Sequence, residues 1–471
     1  MRTPRVVSAA ALAVLLVSAG VRAASPAPPP GPEFFAAHRA AFLAAMPVGS
    51  IAVFRSAPED GSQVGALYRQ GSDFWYLTGL SEPDSILVLS PAGSEGARYR
   101  LYVRPRDFSS EQWTGWRTGV DGAKLEFHAD AASPVADFWK EIPKVWSGAR
   151  MLLWSDGGDA AFRGKLRDAW ETADGQSAEL RPSAAAGPLV HRLRLVKDAA
   201  EQALLRRAAE LSAEGHVAAM KAVRPGRYEY EVRAALESVC TAGGAVRMAY
   251  PSIVGSGPNS VILHYEADDR RMNAGETIVN DSACEYGMYA ADVTRSYPVS
   301  GRFSPEQRAI YDLVLAAQKA GFAKIRPGAA FHEVHDATVD VIVDGLLRLG
   351  VLHGDRAEIM KTRAYTAFYP HGSSHWLGMD VHDVGSYGFS NPDAPRLERY
   401  SLAQTRLEPG MAFTVEPGIY IPEHAKDVDP KWWNIGVRIE DDVLVTPAGM
   451  DCISCSAPRE PADVEKTILG R

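Results

Sequence analysis

Residues 221–230 read KAVRPGRYEY, and residues 323–334 read AKIRPGAAFHEV. Each holds an Arg-Pro-Gly stop between stretches with helical apolar spacing. Proline and glycine end helices for local reasons, so one stop says little. Here the same order occurs twice: a long helix, Arg-Pro-Gly, a second helix, then strand-like segments. In the first copy Asp198 stands where a cap belongs, ahead of a helix running to about Ala222. The second helix of that copy spans Tyr230 to about Ala242. In the other copy the helices span Pro305 to about Lys324 and Phe331 to Leu349. The repetition predicts an internally duplicated α+β domain.

The strand-like part of each copy carries acids. Residues 275–296 read GETIVNDSACEYGMYAADVTRS and contain Asp281 and Asp292. Residues 412–421 read AFTVEPGIYI, and residues 434–446 read NIGVRIEDDVLVT, which places Glu416 and Glu440 in apolar runs. An acid rarely sits in a buried strand without a partner charge or a metal. Two acids from each copy are therefore expected to meet at the seam of the duplication. A buried cluster of bare carboxylates would protonate or unfold the chain. Two divalent cations would balance its charge.

Outward from this core, residues 33–46 fit an amphipathic helix, and SIAVF, DFWYLTGL, SILVLS, RYRLYV and ARMLLWS follow as β-like runs. Helical stretches lie among them, so an α/β domain of about 150 residues is expected before residue 187. PSAAAGP, between Pro182 and Pro188, marks the boundary.

The chain starts differently. Arg2 and Arg5 precede an apolar run from Val6 to Ala19, and small residues surround Ala23 and Ala24. This is the pattern of a secretory signal over residues 1–24, so export to a periplasm or the medium is expected. A proline-rich linker over residues 25–33 follows. Export leaves Cys240, Cys284, Cys452 and Cys455 open between disulfides and buried thiols. The chain has 471 residues, a net charge of -8 and 46% hydrophobic residues. Nothing in that balance suggests nucleic-acid binding, and no later stretch is apolar and long enough for membrane insertion.

Taken together, the motifs resemble those of aminopeptidase P, the Xaa-Pro aminopeptidase of the pita-bread metallopeptidases. Residues 68–89 (YRQGSDFWYLTGLSEPDSILVL) resemble that family's N-terminal domain. ILHY, the two-aspartate segment, HGSSHWLGMDVHDVG (371–385), TVEPGIYI and GVRIEDD follow in the family's order. The implied fold is an α/β N-terminal domain (34–187) followed by a pseudo-twofold α+β pita-bread catalytic domain (188–471).

The resemblance implies a metal ligand set of Asp281, Asp292, His375, Glu416 and Glu440, with Asp292 and Glu440 bridging. It implies substrate-facing or supporting roles for His264, His371 and His382, and a proton shuttle at Glu416. A water held between the metals would attack the first peptide bond. Arg438 would pair with a ligand carboxylate or with substrate. Tyr420 lines the site or packs. Trp113 either packs in the core or reaches a neighbouring subunit's site, in a homodimer or homotetramer. An oxygen-rich set with one imidazole suits Mn2+ best, while Zn2+, Co2+ and iron stay open. Two departures from the family stand beside the first ligand, Asn280 and Ala283, and are expected to bear on metal affinity. The implied reaction is release of the residue preceding a penultimate proline. The alternatives are a prolidase acting on Xaa-Pro dipeptides and a metal-free pita-bread binding protein.

Overall fold

Gly226 and Gly328, the last residues of the two Arg-Pro-Gly stops, lie at φ 89° and 82°, in the left-handed region that glycine reaches without cost. Gly226 N–H donates to Met272 O and Gly328 N–H to Leu407 O, both at 2.8 Å. Tyr228 then bridges to Arg271 and Ala330 to Arg406. The two stops thus make the same backbone bonds to the same point of their own copy. The helix pairs they join, Ala199–Ala222 with Glu229–Ala242 and Pro305–Phe322 with His332–Leu349, pack closely. A glycine sets each contact. A Cβ on Gly215 would meet Leu236 at 2.8 Å, and one on Gly345 would meet Leu313 at 2.1 Å. Such overpacking costs typically about 1–3 kcal/mol.

This computed structural model describes residues 30–59, 67–94, 96–172, 182–385 and 405–470. The signal segment and most of the proline-rich linker expected from sequence lie outside the described residues. No described helix is long and apolar enough to cross a membrane.

Behind each helix pair stands a small antiparallel sheet. In the first copy Thr277–Asp281 lies between Ile253–Ser256 and Thr294–Pro298. In the second, Asp441–Thr446 lies between Ala412–Val415 and Gly449–Cys452, and Gly418–Ile421 pairs with Ile435–Arg438. A Thr294–Glu440 bridge joins the copies. This is the duplicated α+β domain that the sequence predicts.

The N-terminal domain is a six-stranded mixed sheet, ordered Ala131–Pro134, Ala97–Val103, Ile86–Ser94, Ser50–Arg55, Met151–Ser155, Ser183–Ala185. Both faces are buried. Ile51, Val53, Val88 and Tyr102 enter one cluster, while Ala52, Phe54, Leu87 and Leu101 enter another, as strand alternation requires.

One expected strand is a helix. DFWYLTGL forms Ser72–Thr78, ended by Gly79 at φ 75° with its N–H on Trp75 O at 2.7 Å. Phe74 to Thr78 are all buried, so the segment shows no helical stripe. A short apolar run of that kind does not distinguish strand from helix.

Charged groups tie the domains together. Arg194, 3% exposed, donates to Asp73 at 2.6 Å, Asp380 at 2.8 Å and Asp383 at 2.5 Å, and Lys197 meets Asp383 at 3.0 Å. Arg69 reaches from the N-terminal domain to Glu285 at 2.7 Å and Met379 O at 2.6 Å. These contacts hold the segment that carries His382.

Candidate metal centre

Sheet register assembles the first part of the site. Asp281 stands opposite Thr294, and Thr294 bridges to Glu440, so the three side chains follow one another across the seam on one face. Asp292 precedes Thr294 by two residues. Its N–H is held by the Asp442 carboxylate at 3.1 and 3.2 Å.

The second part comes from the HGSSHW stretch running beside Ala412–Val415. Thr414 N–H donates to His375 O at 3.0 Å, and Glu416 N–H to Ser373 O at 2.8 Å. His375 and Glu416 are thereby brought to the same place. His375 Nε2 lies 3.2 Å from Asp292 Oδ2, 3.8 Å from Glu416 Oε1 and 4.0 Å from Glu440 Oε1. Ligand atoms of Asp292, His375 and Glu440 all fall within 4.8 Å of one another.

Donors surround the acids. Tyr250 Oη lies 2.6 Å from Asp281 Oδ1 and 2.7 Å from Asp292 Oδ1. Arg438 donates to Asp281 Oδ2 at 2.6 Å, to Tyr420 Oη at 2.8 Å and to Thr294 Oγ1 at 3.2 Å. Thr294 donates to Glu440 Oε2 at 2.6 Å. Since Tyr420 Oη accepts from Arg438, its single proton goes to His371 Nε2 at 2.8 Å. That leaves the His371 proton on Nδ1, which lies 2.8 Å from Gly372 O and 3.5 Å from Glu416 Oε2.

The electrostatics call for cations. Burial, followed by the charge of Asp281, pushes the Asp292 carboxyl above its usual range, although His375 opposes the shift. Burial pushes Glu416 up to about 7, with Asp292 and Asp281 adding to it. Glu440 rises well above its ordinary value, from burial and then from Asp292, Glu416 and Asp281. Burial would depress His375, but Asp292 and Glu416 outweigh it and raise the group to about 9.

Two hydrogen-bond features test the fit to a metal. His375 Nδ1 donates to Trp376 O at 3.1 Å, which turns Nε2 towards three carboxylate oxygens. Without a metal those acids keep Nε2 protonated, and a cation among them would take the place of that proton. Tyr250 has one proton for two carboxylates, which leaves the other oxygen short of a positive partner. The donor set, four carboxylates and one imidazole whose Nε2 points at them, fits divalent cations.

A cavity of about 500 Å³ opens above these groups, lined also by Ile253, Leu263, His264, Met379, Val381 and His382. His264 is exposed on its wall. His382 packs edge-on against His375, with ring centroids 4.4 Å apart. Trp376 is fully buried between Phe331 and Phe413, on the core side. Trp113 is 88% exposed, which excludes the core alternative for it. Asn280 is turned away from the acids: it donates to Tyr297 Oη at 3.1 Å and accepts from Ser282 at 2.8 Å. Ala283 is buried in the core.

Sequence reasoning missed Tyr250, Thr294 and His216. His216 Nε2 lies 3.0 Å from Ser282 O and 2.9 Å from Val293 O, beneath both aspartates. For Thr294 a signal existed: strand alternation puts it on the face of Asp292. Nothing local marks Tyr250 or His216.

Comparison with known proteins agrees with this geometry. The family model "Metallopeptidase family M24" matches residues 203–447, and "Aminopeptidase P, N-terminal domain" matches residues 35–154. The Xaa-Pro aminopeptidase of Escherichia coli (strain K12) is 37% identical over 441 residues, 92% of this chain and 97% of that protein. The solved structure of Pseudomonas aeruginosa aminopeptidase PepP superposes with TM-score 0.87 at 42% identity, covering 94% of this chain and 98% of the other. Zn-substituted E. coli aminopeptidase P in complex with product gives TM-score 0.86 at 35% identity, covering 94% and 99%. With both domain models matched in order and whole relatives aligned nearly end to end, the chain belongs to the aminopeptidase P family of M24 metallopeptidases.

Proposed function

We propose that this protein is a metal-dependent aminopeptidase that releases the first residue of peptides with proline second. The observation that carries the reading is the convergence of Asp281, Asp292, His375, Glu416 and Glu440 at the base of one cavity. These five residues would hold two divalent ions. Bound there, the ions supply a water activated near neutral pH and polarise the scissile carbonyl. The family's zinc-substituted relative concerns that protein. For this chain the oxygen-rich donor set favours manganese, with zinc or cobalt as substitutes.

The chain's own groups do the rest. Arg438 and Tyr250 fix the Asp281 carboxylate so that it faces the cavity. Thr294 does the same for Glu440. Glu416 Oε2 takes the proton released on attack and hands it to the departing nitrogen. His371 Nδ1–H, 3.5 Å away, steadies that carboxylate, and Tyr420 and Arg438 hold the imidazole in the required tautomer. His264 and His382, on the cavity wall, donate to the carbonyl oxygens of the bound peptide. A penultimate proline brings no N–H, so a wall without an acceptor at that point loses nothing by taking it.

Trp113, Trp116 and Phe108, 88%, 76% and 70% exposed within nine residues of sequence, support subunit contact in a homodimer or homotetramer. The N-terminal signal pattern supports export to a periplasm or the medium. The test is hydrolysis of Arg-Pro-Pro against Gly-Pro, after chelation and return of manganese, zinc or cobalt. Faster turnover of the tripeptide is expected. Cleavage of the dipeptide alone would make the protein a prolidase, and no cleavage of either with metal bound would sink the reading.

A further inference from the structure

The two disulfides, Cys240–Cys284 and Cys452–Cys455, differ in what they do. Cys240 and Cys284 are 1% and 0% exposed and tie helix Glu229–Ala242 to strand Cys284–Tyr286 across 44 residues. That is a structural staple. Cys452 and Cys455 are three residues apart and only partly buried. Closing so short a loop removes little freedom from the unfolded chain.

The surroundings of the short bridge suit chemistry. The Arg459 guanidinium donates to the Cys455 sulfur and to Asp441 Oδ2, the latter at 3.0 Å. A guanidinium beside a sulfur stabilises the thiolate that forms when the bridge opens. Ser454, inside the loop, donates to Asp441 Oδ1 at 2.7 Å and accepts from Asp442 N–H at 2.9 Å. Ile453 N–H donates to Asp442 O at 2.9 Å. Both aspartates lead to the metal centre. Asp442 holds Asp292 N–H, and Arg295 joins Asp441 Oδ1 at 2.7 Å to Glu440 O at 2.6 Å.

We propose that Cys452–Cys455 is a thiol–disulfide exchange site for a dithiol reductant, and that its redox state sets metal affinity through Ser454, Asp441 and Asp442. In the exchange a thiolate of the dithiol attacks Cys452 Sγ and forms a mixed disulfide. The Cys452–Cys455 bond breaks, and Cys455 leaves as a thiolate beside Arg459. The second thiol of the reductant, deprotonated, attacks its own mixed-disulfide sulfur and releases the Cys452 thiolate. The dithiol ends as a disulfide, and its two protons go to the two cysteines or to solvent. The loop around Ser454, no longer closed, relaxes its hold on Asp441 and Asp442.

The exchange site stands independently of peptide hydrolysis, and the coupling rests on the proposed metal centre. The experiment treats the folded, metal-loaded full chain with millimolar dithiothreitol, traps thiols with iodoacetamide and weighs the peptides. The expected result is alkylation at Cys452 and Cys455 and none at Cys240 and Cys284. Arg459→Gln is expected to slow that reduction on the order of tenfold, and Arg459→Lys to restore most of the rate. Parallel reduction of both bridges, or an Arg459→Gln protein reduced as fast as its parent, would overturn the site. After removal of the reductant, manganese competition against a chelator should show affinity at least about threefold weaker than in the oxidised protein. Equal affinity overturns the coupling. A protein that exchanges thiols but cleaves no Xaa-Pro peptide would count against the proposed activity alone.

Discussion

Replacing Thr294 with Val removes one hydroxyl from the floor of the metal centre and leaves the β-branched shape in the strand. Two buried neighbours notice. Glu440 loses the donor that sits 2.6 Å from Oε2, and Arg438 loses an acceptor at 3.2 Å but keeps Asp281 and Tyr420. The larger effect therefore falls on Glu440. A hydrogen bond to a charged group contributes about 1.5–3 kcal/mol. Loss of a partner that orients a ligand typically lowers metal affinity about 10–100-fold. At about 1.4 kcal/mol per tenfold the two estimates coincide. Thr294→Val is thus expected to weaken manganese binding about 10–100-fold, read by competition with a chelator, with an unchanged circular dichroism spectrum. Turnover should recover to within a few-fold at saturating metal. An affinity within twofold of the parent, with the fold intact, would show that Glu440 does not depend on this hydroxyl and would undo the reasoning from register.

Asp292→Ala is expected to keep the fold, lose at least one metal by elemental analysis and lose nearly all turnover; normal metal content and rate would refute its bridging place. In metal-free protein, Glu416 has a folded pKa of about 7 against an ordinary 4.5. The native state then holds a proton that the unfolded state releases, so stability of the chelated protein should fall as pH rises from 4.5 to about 7. Thermal scans should show that trend and show manganese abolishing it. Burial and then Arg295 depress His216 to about 4 from 6.5. Its contribution should be complete above pH 6.5 and decline as pH falls towards 4, by about 3 kcal/mol in all. Denaturant titrations of parent and His216→Gln should converge over that window; a constant gap would refute it.

Much of the fold could be read from punctuation. Asp198 with Glu201, and Ser304 with Gln307, form capping boxes at the two long helices, and such caps are local chemistry. The Arg-Pro-Gly stops announced the duplication for the same reason. The acids were legible because a charge in an apolar strand needs an explanation. Asn280 shows a reading that stopped too soon. Its neighbour Asp281 faces the cavity, so alternation alone sends Asn280 to the opposite face, where Tyr297 meets it. Tyr250 and His216 were not legible, because their reach to the aspartates depends on how distant elements pack. DFWYLTGL failed because a helix buried on all sides has no periodic stripe to betray it.

The Thr294–Glu440 bridge has a consequence for how the protein comes into being. Asp281 and Asp292 belong to one copy, Glu416 and Glu440 to the other, so on the proposed ligand set neither copy alone would hold a pair of ions. A nascent chain released before residue 440 would present two solvated aspartates and no peptidase. A complete ligand set would need the pairing of the two copies, so recovery of metal binding during refolding should report the closure of that seam.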